Sequence, residues 1–143
     1  MEDVVISVVG KQHLEGMDPS MISMVTDGTM KMEGETIYLQ YPEPEGSGME
    51  GTRTTIKVEP SHVTLTREGT TQSVMEFEKG KQNLALYDTG MGALTLGLKT
   101  RRLQSSLGPD GGHLEISYRI VIDEMIRGLN SFEVDVKKKE PVI

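Results

Sequence analysis

The chain has 143 residues, 22 of them acidic against 15 basic for a formal charge of −7, with 36% hydrophobic residues and no cysteine. A chain of this length is one domain, 1–143, able to bury roughly two-thirds of its unfolded surface. The missing thiols exclude disulfides, thiolate metal sites and cysteine nucleophiles. The acidic balance repels nucleic acid and anionic membrane, so neither is expected as a partner.

Taken in order, the first strand is expected from Asp3 to about Leu14, with Val4, Ile6 and Val8 on one face and Val5, Ser7 and Val9 on the other. Two apolar faces suit a strand covered on both sides, at a barrel seam or beneath a terminal segment. The run from Val4 to Val9 is too short to span a bilayer. Glu2 and Asp3 stand where a signal peptide would be positive, so the cytoplasm is the expected location. After the turn at Glu15 to Pro19, a second strand runs from Ser20 to Met32, with Asp27-Gly28 read as a bulge within it. Thr36 to Glu43 follows, with Ile37, Leu39, Tyr41 and Glu43 on one side and Pro42 and Pro44 ending the ladder. The segment from Glu45 to Gly51 reads as a loop at a rim or lid.

The centre of the chain, Gly51 to Thr100, reads as five short strands cut by Pro60-Ser61, Glu68-Gly69, Lys79-Gly80 and Thr89-Gly90. They are Thr52 to Glu59, His62 to Arg67, Thr71 to Glu78, Lys81 to Asp88 and Gly92 to about Leu103, with sharp curvature at Gly92 and Gly97. Connections this short leave no room for crossover helices, so sequence neighbours must pair antiparallel. The strong turn at Gly108 to Gly112 introduces a last hairpin. Leu114, Ile116, Tyr118, Ile120 and Ile122 share its buried face, and Phe132, Val134 and Val136 point inward on the return. One helical turn is allowed at Glu124 to Arg127, and 136–143, with Lys137-Lys138-Lys139, reads as a solvated tail.

The fold class is therefore all-β: an up-and-down antiparallel meander of eight to ten strands. Closure into a barrel removes the two hydrophobic edges that an open meander would expose, and a two-sheet sandwich is the alternative. A barrel of about eight strands is just wide enough to be filled by side chains or to hold one small ligand. Ten methionines could line a soft cavity or simply fill the core.

Several pieces in their order and spacing resemble the YwiB-like proteins, small bacterial proteins of unknown function. They are Tyr38-Leu39-Gln40-Tyr41 with an acidic residue after it, Gly51-Thr52 leading to Thr54-Thr55-Ile56-Lys57, and Arg67 with Gly69. Phe77-Glu78-Lys79-Gly80, Tyr87 with Thr89 and Gly92, and then Thr100 and Tyr118 complete the set over nearly the whole chain. Two departures are Pro42 between Tyr41 and Glu43, and Gly90-Met91 where the family carries a Pro-aromatic pair. The resemblance implies a calycin-type, lipocalin-like barrel and a Lys at position 57. It implies no established reaction or cofactor, and binding of small, often apolar molecules only by analogy of fold.

Arg67 shares a face with Val63 and Leu65, so a regular strand aims its guanidinium inward. A buried, unpaired charge costs several kcal/mol, so a carboxylate or an anionic ligand is expected beside it. Glu43, which also continues an apolar face, is the natural partner. Arg67, Glu43, Lys57, Tyr41, Tyr87 and Tyr118 are the candidate ligand-binding residues, although Lys57 reaches the interior only if a bulge reverses its parity. His113 and Glu115 lie two apart on one strand face, too few ligands for a metal site, and no phosphate loop or nucleophile elbow is present. No catalytic residue, metal or cofactor is assigned.

The expected function is non-catalytic binding of a small ligand with a polar or anionic head and an apolar body. The alternatives are a protein-interaction module with a solid core, hinted at by the outward Val74 and Val121 and compatible with a dimer, and an enzyme built from barrel-lining Glu, Arg and Tyr.

Overall fold

The structure, a computed structural model, describes residues 2–44, 50–88, 92–122 and 124–139, without the side chains of Tyr87 and Ile126. Ten strands follow one another: β1 Glu2–Leu14, β2 Ser20–Glu33, β3 Thr36–Pro42, β4 Arg53–Val58, β5 Val63–Glu68, β6 Gln72–Phe77, β7 Gln82–Asp88, β8 Ala93–Ser105, β9 Gly111–Ile122 and β10 Ile126–Lys138. Each pairs antiparallel with its sequence neighbours, and β1 pairs with β10 to close a barrel. The sandwich alternative is thereby excluded. The seam runs from Val4 opposite Lys138 to Leu14 opposite Gly128; of the two faces at the start of β1, Val4 and Ile6 are buried while Val5, Ser7 and Val9 are half-buried.

Alternation of side chains divides inside from outside on nearly every strand. Ile37, Leu39 and Tyr41 of β3, Thr54, Ile56 and Val58 of β4, Val63 and Leu65 of β5, and Ser73, Met75 and Phe77 of β6 are all buried. Leu114, Ile116, Tyr118 and Ile120 on β9 and Val134 and Val136 on β10 face them. Phe77, fully buried, stacks edge-on with Phe132 at 5.7 Å between centroids and tilted against Tyr118 at 4.9 Å. Such pairs add about 0.5–1.5 kcal/mol beyond the area they bury.

Several local expectations are corrected. Asp27-Gly28 is not a bulge: the β1–β2 register passes through it unbroken, with Val4 opposite Gly28 and Val5 opposite Asp27. Glycine is needed there for a different reason, since a Cβ would lie 2.6 Å from the Gln40 carbonyl oxygen and 2.6 Å from Ile6 Cδ1. The bulge sits instead in β8 between Thr100 and Arg102, and the pairing runs straight through Gly97. The extra residue leaves Arg101 and Arg102 exposed and flips the parity, so that Leu96, Leu98 and Thr100 face inward before it and Leu103 after it. Glu124 and Met125 form a turn rather than a helical one, and Ile126 already begins β10.

The tail expectation is also corrected for its first residues. Val136 is buried in the core, Lys137 and Lys138 pair with β1, and the Lys139 N–H donates to the Asp3 carbonyl at 3.2 Å. Lys138 lies 3.4 Å from Glu2 and 3.3 Å from Asp110, and Lys139 lies 3.2 Å from Asp27. The lysine run is the outer trim of the closing seam. Residues 140–143, and the 45–49 part of the expected rim loop, lie outside the described residues.

Gly28→Ala should cost about 1–3 kcal/mol, because backbone and a packed isoleucine must both give way. Gly10→Ala, with open space around the added carbon, should stay within about 0.5 kcal/mol. Urea unfolding of the two variants checks the difference; equal losses would mean that strand propensity, not the close approach of β3, sets the requirement at position 28.

Candidate functional site

One cross-strand row at one end of the barrel is polar where its neighbours are apolar. Tyr41 pairs with Thr54, Thr54 with Arg67, and Arg67 with Ser73. The next row inward, Leu39, Ile56, Leu65 and Met75, is wholly apolar. Glu43 lies just past β3. Pro42 has no N–H to offer the ladder, but the Glu43 N–H still donates to the Thr52 carbonyl at 2.8 Å, which draws the residue back against β4.

Thr52 is held in turn. Its hydroxyl meets the Thr70 hydroxyl at 2.9 Å and accepts the Thr71 N–H at 3.2 Å, while Thr70 donates to the Glu50 carbonyl at 2.7 Å. The chain crosses here only because Gly69 has no side chain, for a Cβ would sit 2.2 Å from the Gly51 carbonyl oxygen.

The carboxylate so positioned has its side chain completely buried, and the Thr54 hydroxyl donates to its Oε1 at 2.6 Å. Arg67 Nε stands 3.9 Å from the same oxygen, with its side chain 18% exposed. That separation is an ion pair but not a hydrogen bond. Two unit charges 4 Å apart attract by about 4 kcal/mol at an effective dielectric of about 20, while burying each costs several kcal/mol. The pair is close to break-even and incompletely satisfied: Arg67 Nε and Glu43 Oε2 are both buried without a hydrogen-bond partner.

Opposite this wall lies a second polar row, in which Ser20 pairs with Gln12, Gln12 with Asn130, and Asn130 with Tyr118. Asn130 Oδ1 is likewise buried and unpartnered. Between the two walls is a cavity of about 210 Å³, bounded by Glu43, Arg67, Lys11, Tyr41, Tyr118, Gln12 and Asn130 and by apolar surface from Val8, Met24, Ile56, Leu65, Met75 and Phe132. Gly10 also lines it and leaves space that a side chain would occupy.

Burial drives the Tyr41 phenol well above its ordinary range and the Glu43 carboxylate pushes the same way, while the Arg67 guanidinium and hydrogen bonding with Thr54 pull back. Tyr118 is raised by burial, against hydrogen bonding with Asn130 and the charge of Arg67. Both phenols are therefore neutral hydrogen-bonding groups near neutral pH.

Of the six residues singled out in the sequence, the structure brings four to this cavity: Arg67, Glu43, Tyr41 and Tyr118. Lys57 lies elsewhere. No bulge reverses β4, so Lys57 points outward, 3.7 Å from Glu59 and 6.0 Å from the centre of the Tyr38 ring. Tyr87 occupies the polar row by backbone register, opposite Ser73, and its side chain lies outside the described residues. Gln12, Asn130 and Thr54 were missed. Their signal was present, since each continues an apolar inward face: Val4-Ile6-Val8 leads to Gln12, Asn130 leads to Phe132-Val134-Val136, and Thr54 leads to Ile56-Val58.

His113 spends its ring on Asp135, at 2.8 Å, and approaches Glu115 at 4.0 Å. Among the described residues no three His, Asp or Glu side chains converge to hold a metal ion. On the outer face Val74, Leu84 and Leu86 are exposed, whereas Val121 is half-buried.

A family model described as a domain of unknown function (DUF1934) matches residues 6–134. The chain belongs to this family. It is 25% identical over 114 residues to the Bacillus subtilis (strain 168) protein described as "uncharacterized beta-barrel protein YwiB", a match covering 80% of this chain and 79% of the relative. The crystal structure of the ywiB protein from Bacillus subtilis is similar in fold, with a TM-score of 0.80 at 22% identity over 96% of this chain and 94% of that one. The resemblance read from the residues thus holds at the level of family and barrel. DUF1934 carries no assigned reaction, so the chemistry of this member has to be argued from its own cavity.

For this DUF1934 barrel the raised phenols give a pH dependence with a definite sign. Above the ordinary tyrosine pKa of about 10 the unfolded chain releases these protons before the folded one, so stability falls as pH rises. The contribution is complete below about pH 10 and is lost as pH climbs through the raised values. Urea midpoints should drop on the alkaline side, and Tyr41→Phe should flatten the drop. An unchanged slope in Tyr41→Phe would locate the effect elsewhere.

Proposed function

We propose that this protein is a non-catalytic binding protein whose barrel takes one small molecule with a polar head and an apolar body. One observation carries the reading: an ion pair left short of hydrogen bonds, Arg67 Nε and Glu43 Oε2, stands at the wall of an otherwise largely apolar cavity. Buried polar groups are overwhelmingly hydrogen-bonded, and a donor and an acceptor left over side by side are the exceptions that ask for a partner. Ten strands also make a wider barrel than eight, since diameter grows with strand number, and an eight-stranded barrel already has room for one small ligand.

The competing readings have less behind them. An interaction module with a solid core does not account for the cavity. An enzyme built on these residues would lack a basic phenol, because both tyrosines hold their protons well past neutrality. The likeness to calycin-type carriers is one of architecture and supports the reading only as analogy.

Thermal unfolding in the presence of a panel of small amphipathic metabolites tests the proposal. A ligand at a hundredfold excess over its Kd adds about 2.7 kcal/mol, which raises Tm by several degrees in a domain of this size. The rise should vanish in Gly10→Leu, whose side chain enters the cavity, and shrink in Arg67→Met. A panel without any shift, or a shift that survives Gly10→Leu, overturns the proposal.

A further inference from the structure

The wall of the inner cavity has a second space beside it. Lys11, Gln12, Ser20, Tyr118, Asn130 and Ser131 line both the cavity and a trough of about 470 Å³. Alternation places the trough's side chains. Tyr118 and Asn130 continue the inward faces of β9 and β10, so the row between them points out: Lys11 pairs with Ser131, Ser131 with Ser117, and Ser117 with Arg102. The next outward row joins His13 to Leu129, Leu129 to Arg119, and Arg119 to Lys99. Neither row holds a carboxylate, and among the described residues none lines the trough, although the chain has 22 acidic residues. The acidic side chains start one row further on, with Glu133 opposite Glu115. This basic face is assembled from β1, β8 and β9, and no single stretch of sequence shows it.

Two features set these cations apart. Elsewhere on the barrel Lys31, Lys57, Lys81, Lys138 and Lys139 each have a carboxylate beside them. Lys11, His13, Lys99, Arg101 and Arg119 form no ion pair among the described residues. The second feature is the β8 bulge, whose extra residue is Arg101. Bulges re-aim side chains, and this one gives β8 two successive exposed arginines with different duties. Arg102 turns to Glu115, at 3.6 Å, and to Gln104, at 2.9 Å. Arg101 lines the trough.

We infer that this trough, on the outside of the barrel, binds a small phosphorylated molecule, with Lys11 and Arg101 holding its phosphate groups over Ser131 and Ser117. Lys11 and the arginines stand three strand spacings apart, about 14 Å, with only the two serines between them. Small side chains there leave the floor open and offer hydroxyl donors. An ammonium, a guanidinium, two hydroxyls and the His13 ring supply more donors than one planar carboxylate takes up, whereas a phosphate group brings three strong acceptor oxygens and nearly two charges. The volume lies within the range of about 300–1,000 Å³ common for small-molecule sites. A long polyanion fits less well. The chain's formal charge of −7 repels it beyond the patch, and the trough's one aromatic, Tyr118, is buried, so bases find no stacking platform.

Isothermal titration of the full chain with inorganic pyrophosphate, at fixed ionic strength, tests the inference independently of the inner cavity. Pyrophosphate should bind saturably at one site, and acetate and a single-stranded oligouridylate should bind more weakly. Lys11→Gln and Arg101→Gln, both at exposed positions, should each weaken it by about tenfold or more. Lys57→Gln makes the same charge change on another face and should stay within about twofold. Ser131→Leu fills the trough at unchanged charge and should abolish binding. Absence of saturable binding overturns the inference, as does a loss in Lys57→Gln equal to that in Arg101→Gln, which would mean general electrostatics. Binding that survives Ser131→Leu, or that is lost in Gly10→Leu and kept in Arg101→Gln, places the anion elsewhere and also overturns it. Acetate binding as tightly as pyrophosphate removes the phosphate assignment, and tighter binding of the oligouridylate gives the face to nucleic acid instead.

Discussion

Everything in this molecule depends on the antiparallel pairing of its first strand with its last. Ten strands joined in sequence order form a meander with two open edges, and only the β1–β10 ladder, from Val4 opposite Lys138 to Leu14 opposite Gly128, turns that ribbon into a cylinder. Closure satisfies the backbone groups of both edges and gives every strand an inside. It also sets two polar rows, one on β3 to β6 and one on β1, β2, β9 and β10, across from each other. The β9 and β10 members of the second row, Tyr118 and Asn130, would be far from the first row in an open sheet.

The polar groups that bound the cavity between those rows come at a cost in stability. A barrel interior filled with aliphatic residues would be more stable than one that buries Glu43 and most of Arg67, since desolvation takes back much of what their attraction contributes. The pair persists because its surroundings over-determine it. Glu43 is tied through its backbone to Thr52 and through its side chain to Thr54, and Thr52 is clamped by Thr70 and Thr71. Arg67 is carried inward by the same alternation that buries Val63 and Leu65. Sites of this kind, in which local rules give way at a few positions inside a consistent frame, are where function is expected.

Much of this was legible before any coordinates, and the reasons are local. Alternation has a period of two residues whatever the fold, so the inward parity of Arg67 could be read from Val63 and Leu65, and that of Glu43 from Ile37, Leu39 and Tyr41. The same parity placed Lys57 outside, and outside is where it lies. Other features escaped because they depend on partners. Lys137 to Lys139 looks like a tail in isolation and becomes a seam once β1 is beside it. Gly28 looks like a bulge in isolation and is instead the point where β3 and Ile6 come too close for a side chain. The β8 bulge leaves no mark in the sequence, since Arg101 and Arg102 are ordinary exposed residues.

By itself, then, the sequence determined the strands, their order and, outside the bulged β8, most of the residues that point inward, because these follow from alternation and turn chemistry within a few residues. The tertiary structure alone decided that the sheet closes, that Gln12, Asn130 and Tyr118 stand across from Arg67 and Glu43, and that room remains between them. Those outcomes depend on strand count, on register at the closing seam and on the fit of side chains from opposite walls. No short stretch of chain contains that information, because each is a relation between residues on different strands that local sequence does not bring together.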